Sequence, residues 1–179
     1  MARFAAAVDD EIDLVLTDDD VVDPIHRLVL AGLDHLSPWE DLARPGLQRS
    51  EVVDYVHQGR VAWADGLAIP TAIEYHGDVV GVVGARLAPA VGRAEIGYWI
   101  GAEHQGRGIV TRAVRAMVGL VLERDDMHRV ELRMAAANVR SRAVAERLAF
   151  TLEGTLRSAY PIDGRRHDLC IYARLRTDA

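Results

Sequence analysis

One strand–loop–helix stretch constrains the fold of this chain more than any other feature. Apolar residues 98–100 predict the end of a strand, Gly106 and Gly108 follow in a short loop, and apolar residues spaced from Val110 onward predict a helix. The first amides of a helix lack acceptors within the helix, and the helix dipole leaves partial positive charge there. The glycines admit a ligand close to the backbone, and Arg107 adds a cation. The stretch therefore predicts a site for a phosphate-bearing cofactor, with a plain turn as the alternative.

Length and composition favour a single domain over residues 1–179. Half of the 179 residues are hydrophobic, which is typical of a globular protein, and the net charge of −6 argues against non-specific nucleic-acid binding. The single cysteine, Cys170, cannot form an internal disulfide and indicates a reducing compartment. No apolar run of the sequence approaches the roughly 18 to 20 residues that a membrane helix needs. We therefore expect a cytoplasmic domain without membrane or direct nucleic-acid partners.

The order of apolar patterns along the chain is typical of an α+β fold. Strands are predicted at residues 12–16, 73–75, 79–87, 94–100, 129–134, 155–160 and 167–175. Helices are predicted at residues 21–33, from Ser50 as a cap to about residue 63, from Val110 to about residue 121, and at residues 141–148. Turns are expected at residues 76–78 and at Asp163 and Gly164. Hairpins with inserted helices predict a mixed, mainly antiparallel sheet.

A second cluster of candidate residues follows the predicted strand 129–134. Asn138 carries both a donor and an acceptor, so its side chain can hold an amide-bearing ligand, and Ser141 follows about one helical turn later. Asn138 is the single asparagine of a chain in which every basic residue is arginine, and we expect a specific role for it. The alternative is that Asn138 only caps the helix that begins here.

Two motifs in this order resemble the GNAT N-acetyltransferases. They are EIGYWIGAEHQGRGIVTRAV and, further along, VELRMAAANVRSRAVAERLAFTLEGTLR. The chain most resembles the branch that acetylates the N-termini of ribosomal proteins, to which HLSPWED and YPIDGRRHDLCIYARL are also similar. One departure is Val110, which stands where the family motif Q/R-x-x-G-x-G/A ends in a small residue.

The resemblance implies a fold and a cofactor. The fold is a mixed, largely antiparallel sheet of about seven strands, with helices on both faces, whose fourth and fifth strands splay apart. Acetyl-CoA, as co-substrate, lies in that gap with its pantetheine arm along the backbone of Tyr98 to Ile100, and Asn138 bonds the same arm. The pyrophosphate takes amides from the loop of Gln105, Gly106, Arg107, Gly108, Ile109, Val110 and Thr111.

Three residues are candidates for the chemistry of acetyl transfer to an amine. The reaction needs a base for the ammonium, donors for the developing oxyanion and an acid for the thiolate. Ser141 resembles the proton donor of the family and would lie near the sulfur. Glu95 is our candidate base, alone or through water, with an ion pair to arginine as the alternative. Trp39, in an irregular segment, is the candidate for the acceptor side.

The seven histidines show no ligand spacing, so we expect no metal.

We therefore expect an acetyl-CoA-dependent N-acetyltransferase in which a primary amine attacks directly, without a covalent enzyme intermediate. The resemblance implies a protein N-terminal amine, of the ribosomal-protein type, as the acceptor. A polyamine, an aminoglycoside or a metabolite amine remains open as an alternative acceptor. A non-catalytic CoA-binding regulatory module is the alternative from another class. The family often dimerises, which leaves a homodimer open.

Overall fold

One mixed sheet runs through residues 4–162 and 164–178, which are the residues that the computed structural model describes. Its strands are β1 (Ala5–Ala7), β2 (Ile12–Leu16), β3 (Ala68–Tyr75), β4 (Asp78–Ala88), β5 (Arg93–Ile100), β6 (Arg129–Ala135), β7 (Thr151–Ile162) and β8 (Arg165–Leu175). Their spatial order is β1-β2-β3-β4-β5-β6-β8-β7. Neighbours are antiparallel except for β5 and β6, which are parallel. The predicted α+β class with a largely antiparallel sheet is confirmed.

Helices cover both faces of the sheet, as predicted. They are α1 (Val22–Ala31), α2 (Leu33–Leu36), α3 (Arg49–Ala64), α4 (Ile109–Leu122) and α5 (Val139–Arg147). Helices α1 and α3 pack with Val82 and Trp99 on one face, which we call the α1 face. Helices α4 and α5 pack with Ile96 and Leu132 on the opposite side, the α4 face. None of these described helices is long and apolar enough to cross a membrane.

Several element bounds differ from the sequence-based expectation, as in β3, which starts at Ala68 rather than at residue 73, and two further differences have clear causes. The alanine run of β1 has no apolar–polar alternation and is not predicted, yet it pairs with β2 at the sheet edge, so the expected fourth and fifth strands are β5 and β6. Ser50 was expected to cap α3, but the cap is Gln48 and the helix starts at Arg49, where the Gln48 amide donates to the Glu51 carboxylate at 2.8 Å in a capping box. Of the last predicted turn, Asp163 lies outside the described residues.

The parallel ladder between β5 and β6 is short, and this creates a gap in the sheet. The ladder covers four residue pairs and ends at Ile96 opposite Leu132. Beyond that point β5 still pairs with β4 as far as Ile100, and β6 still pairs with β8 as far as Ala135. The two strands therefore separate at their C-terminal ends, which confirms the expected splay.

Alternating charges hold β5 and β6 together beside the gap. The register sets Glu95 opposite Glu131, and two like charges in that position repel. Arg133 bridges them, with Nη2 2.8 Å from Glu131 and Nε 3.8 Å from Glu95, and Arg129 Nε lies 2.7 Å from Glu131. Burial of Glu131 alone would raise its pKa, but hydrogen bonds from Arg129 and Arg133 outweigh this effect and hold the pKa below its usual range.

We expect Glu131→Gln to lower the free energy of unfolding at neutral pH by about 2 kcal/mol, because two arginines lose their shared carboxylate. Since the pKa of Glu131 is lower in the folded protein, its contribution is complete above the unfolded pKa of 4.5 and disappears as the pH falls through the folded value. Urea unfolding at a series of pH values measures this, and the difference from wild type should shrink in acid. The exposed Glu123→Gln is the control and should unfold like wild type. A Glu131→Gln deficit of the same size at every pH would contradict the account.

Candidate active site

A cavity of about 1520 Å³ opens where β5 and β6 separate. Its walls come from both strands, the loop before α4, the first turn of α5 and the segment after α2. Side chains from the α4 face and from the α1 face both line it, so it connects the two faces through the gap. Sites for drug-sized ligands typically measure about 300–1,000 Å³, so this cavity has room for two reactants.

The edge of β5 presents free backbone groups to the gap. The Gly101 amide donates to the Val80 carbonyl at 2.8 Å, and the alternation of an antiparallel pair turns the backbone groups of Tyr98 and Ile100 away from β4. Since the ladder to β6 has already ended, no described strand lies beside them. His35 Nε2 donates to the Ile100 carbonyl at 3.0 Å. The Tyr98 amide and carbonyl and the Ile100 amide remain for a ligand that carries its own amides.

The loop between β5 and α4 has the geometry of an anion site. Gly106 and Gly108 have φ angles of 75° and 73°, which residues with a Cβ rarely adopt. A Cβ on either residue would meet no atom within 4 Å, so the space beside both is open. Gly108 is the N-cap of α4, whose first turn contains no acidic residue. The first helical amides therefore have no intrahelical acceptor and are available to an anion; they belong to Ile109, Val110 and Thr111.

Two predicted loop residues stand apart from the others. Arg107 is exposed and is not among the described residues that line the cavity. Val110, the departure from the family motif, packs against the core and also borders the cavity. A different cation reaches the loop, because Arg140 Nη1 of α5 donates to the Gln105 side-chain oxygen at 2.6 Å. Arg140 thus spans the gap from α5, a long-range contact that the sequence does not predict.

Asn138 caps a helix and also lines the cavity. Its Oδ1 accepts a hydrogen bond from the Ser141 amide at 3.1 Å, which caps α5. Among the described residues nothing accepts from its side-chain NH₂ group, and the residue borders the cavity. Capping and ligand binding are therefore compatible, because the cap fixes the side chain through its oxygen and leaves the donors free.

A pair of hydroxyls lies on the α4 face of the gap. Tyr98 Oη lies 2.9 Å from Ser141 Oγ, and the Ser141 carbonyl accepts from Tyr98 Oη at 3.1 Å. Burial raises the pKa of Tyr98 to about 12, although the hydrogen bond with Ser141 opposes the shift. The phenol therefore stays protonated at neutral pH. The sequence predicts only a backbone role for Tyr98, because a side-chain contact between two distant segments leaves no local pattern.

On the α1 face, arginines hold the candidate base Glu95. Arg86 Nη2 donates to Glu95 Oε1 at 2.6 Å, directly across the β4–β5 pair. Arg133 lies 3.8 Å from the other carboxylate oxygen. This is the ion pair that the sequence left as the alternative for Glu95. Glu95 borders the cavity, but its carboxylate already has two cationic partners.

Trp39 borders the same end of the cavity, beside two residues that the sequence did not single out. Its carbonyl accepts from the Tyr160 hydroxyl at 3.1 Å, and its ring lies 6.2 Å from that of His167. Glu40 follows directly and also lines the cavity. A charged residue next to an aromatic one in an irregular segment was the available signal for Glu40. No local signal exists for Tyr160, which comes from the far end of the chain.

The cavity fits an elongated thioester cofactor of the CoA type. Its loop end offers helix amides for a pyrophosphate, and the β5 edge offers backbone groups for an amide-bearing arm. The Tyr98–Ser141 hydroxyl pair borders the same cavity, in the gap between these two ends. Among the described residues, no group of three or more His, Cys, Asp or Glu side chains is placed to hold a metal ion.

Comparisons with known proteins agree with this geometry. Residues 18–151 match the family model described as an acetyltransferase (GNAT) domain. A putative ribosomal N-acetyltransferase, YdaF of Bacillus subtilis strain 168, is 30% identical over 177 residues, which are 98% of this chain and 97% of that protein.

Solved structures of acetyltransferases are also similar to this chain in fold and sequence. The ribosomal L7/L12 alpha-N-protein acetyltransferase RimL in complex with coenzyme A superposes with a TM-score of 0.93 at 28% identity, covering 98% of this chain and all of that one. The microcin C7 self-immunity acetyltransferase MccE, in complex with acetyl-CoA and AMP, superposes with a TM-score of 0.89 at 28% identity and covers 94% of each chain.

We expect Gly108→Val to weaken coenzyme A binding about tenfold or more, because the valine side chain would occupy the open space at the loop. Gly66→Val is the matched control, because Gly66 has a φ of 71° and similar open space around it. It lies between α3 and β3 and is not among the described residues that line the cavity. Both variants should lose about 1–2 kcal/mol of stability through backbone strain. Calorimetric titration separates the effects, and equal affinities for the two folded variants would contradict the loop assignment.

Proposed function

This chain belongs to the GNAT acetyltransferase family, and we propose that it acetylates the N-terminal α-amine of a protein, of the ribosomal-protein type. The enzyme class, an acetyl-CoA-dependent N-acetyltransferase, follows from the family, and the acceptor is the part that we propose. The observation that carries the proposal is the similarity, over nearly the whole chain, to proteins named for ribosomal-protein acetylation. The cavity volume of about 1520 Å³ supports it, because it exceeds what a single ligand of ordinary size needs.

We propose that the cofactor lies along the loop and the β5 edge. The amides of α4 and the cation of Arg140 would hold the pyrophosphate, and the backbone of Tyr98 and Ile100 would pair with the arm. The side-chain NH₂ of Asn138 would donate to a carbonyl of the same arm. In this position the thioester supplies an acetyl carbonyl and a thiolate leaving group.

The Tyr98–Ser141 pair is suited to protonating the leaving sulfur. A serine hydroxyl is a poor acid in water, so Ser141 is best placed as a donor that Tyr98 resupplies through their 2.9 Å contact. The free amides at the β5 edge are suited to the acetyl oxygen as it gains negative charge. These groups are fixed by the fold before the reaction starts, which is the condition for electrostatic stabilisation of a transition state.

A small-molecule amine is the second candidate acceptor. Its support is the similarity to the microcin C7 self-immunity acetyltransferase, which has the same 28% identity to this chain as RimL. That protein is named for self-immunity to microcin C7 and was solved with AMP. A nucleotide-linked amine therefore belongs in any acceptor panel.

The domain organisation, the cellular compartment and the partners of this chain are proposals of the same kind. All described elements belong to one sheet and the helices around it, which supports a single acetyltransferase domain over residues 1–179. We place the reaction in the cytoplasm, where ribosomal proteins are synthesised, with no direct nucleic-acid contact. A homodimer is an expectation taken from the family.

We expect the chain to release CoA fastest with peptides that begin with a free α-amine. The panel should hold ribosomal-protein N-terminal peptides, the same peptides blocked at the N-terminus, a lysine side-chain amine, a polyamine, an aminoglycoside and an aminoacyl nucleotide. Blocked peptides should give no release above background, and mass spectrometry should place the acetyl group on the first residue. Faster reaction with the polyamine, the aminoglycoside or the nucleotide would replace the proposed acceptor by a small molecule.

We expect Ser141→Ala to lower kcat about 10²-fold while acetyl-CoA affinity stays nearly unchanged, because a proton donor to sulfur acts in the transition state. Tyr98→Phe should lower kcat in the same direction, and the double variant should be little worse than Ser141→Ala, since both residues serve one proton path. Tyr75→Phe is the control, as its hydroxyl bonds Glu11 away from the cavity. Additive losses in the double variant would show that the two hydroxyls act separately.

A further inference from the structure

The Glu40 carboxyl borders the acceptor end of the cavity. Glu40 follows α2 in the segment that carries Trp39, and its side chain is partly buried at the cavity wall. Asp41 of its own segment and Arg86 of β4 act on its charge, and it acts in turn on Tyr55 of α3 and Tyr160 of β7. The same cavity is also lined by His35 of α2, by Arg44 and by Glu95 of β5. Carboxylates therefore outnumber free cations at this end of the cavity, as suits a positively charged acceptor.

Three of the donors near Glu40 have other partners. Arg86 donates to Glu95, and Arg44 pairs with Glu51. The Tyr160 hydroxyl donates to the Trp39 carbonyl. Among the described residues, no hydrogen bond or ion pair ends on the Glu40 carboxylate. A partly buried carboxylate that borders a reactant cavity with open lone pairs is free to accept a proton from a bound ammonium.

The surroundings also give Glu40 the basicity that proton transfer requires. Burial, assisted by the negative charge of Asp41, raises the pKa of Glu40 to about 7, and Arg86 opposes the shift. A general base works best when its pKa lies near the working pH, because it is then both ionised and basic enough to accept a proton. Glu95 forms ion pairs with Arg86 and Arg133, so its carboxylate oxygens are already engaged.

We propose that Glu40 is the catalytic base that takes a proton from the ammonium group of the acceptor. The proposal rests on the proposed acetylation of an amine and replaces Glu95 in that role. Glu95 then serves as the partner that keeps Arg86 away from the Glu40 carboxylate. The evidence for Glu40 is its position at the cavity wall and the absence, among the described residues, of a partner for its carboxylate. The nearby Arg44, Arg86 and Tyr160 bond to other groups.

The protons balance with this assignment. An acceptor ammonium carries three N–H bonds, and the product amide carries one. One proton passes to Glu40 before the nitrogen attacks, and the C–N bond forms as the C–S bond breaks. The thiolate takes a proton from the Tyr98–Ser141 pair. The second proton leaves the nitrogen as the amide forms and passes through solvent to restore that pair. Glu40 then returns its proton to solvent.

The test compares Glu40→Gln with wild type across pH, using the amine that wild type acetylates best. We expect kcat to fall about 10²-fold near neutral pH, with acetyl-CoA affinity unchanged. The loss of rate should shrink at high pH, where most of the amine is already neutral in solution. The pKa of a protein α-amine is about 7.7–8.0. Wild-type kcat should decline as the pH falls through about 7, the pKa of Glu40. Glu40→Asp should recover part of the rate.

Three further variants sharpen the comparison. Asp41→Asn removes a negative neighbour, so the pKa of Glu40 should fall and the acidic limb of the rate profile should move to lower pH. The pH–rate profile of Glu95→Gln should keep its acidic limb. The exposed Glu123→Gln, at the end of α4, should leave rate and profile unchanged. Carbon-detected NMR titration of the Glu40 carboxyl follows its protonation without any acceptor.

The outcomes separate this proposal from the proposed function. A wild-type enzyme that ignores α-amines but acetylates another amine of the panel contradicts the proposed acceptor, and the Glu40 comparison then uses that other amine. Wild-type transfer with an unchanged rate and pH profile in Glu40→Gln contradicts the role of Glu40. An NMR titration with an ordinary glutamate value would also overturn it, even if no acceptor were found.

Discussion

The end of the β5–β6 ladder is the constraint on which the site depends. Parallel pairing holds the strands through Ile96 and Leu132, and the bridge from Arg133 to Glu95 and Glu131 secures that paired part. Past this point each strand pairs only with its outer neighbour. An unpaired strand edge inside a sheet is costly unless another group takes its hydrogen bonds. A ligand with amides of its own would supply them, which suits the gap to the binding site that we propose.

The gap also divides the chemistry between the two faces of the sheet. Side chains alternate along β5, so Tyr98 points to the α4 face and meets Ser141, whereas Glu95 points to the α1 face and meets Arg86. In the proposed reaction the hydroxyl pair serves the sulfur from one face, and Glu40 serves the acceptor from the other end of the same cavity. A reactant bound through the gap would then have the proposed proton donor on one side and the proposed proton acceptor on the other.

Local patterns predicted the elements well, and contacts between distant segments were beyond them. The order of strands and helices follows from periodicity, and Gly106 and Gly108 were recognisable because only their own φ angles and the following helix matter. The hydroxyl contact of Tyr98, by contrast, depends on the packing of α5 against the gap. The basicity of Glu40 depends on groups from other elements, including Arg86, which no pattern around Glu40 reveals. The resemblance to a family supplied the splay, which periodicity alone does not predict.

Amide hydrogen exchange with and without coenzyme A tests the central claim, that the gap between β5 and β6 is the cofactor site. The account predicts slower exchange of the Tyr98 and Ile100 amides and of the first amides of α4 when the ligand is bound. Amides of the β2–β3 pair, which are already in a ladder away from the gap, should not change. Unchanged exchange at the β5 edge at saturating coenzyme A, with protection elsewhere, would contradict it.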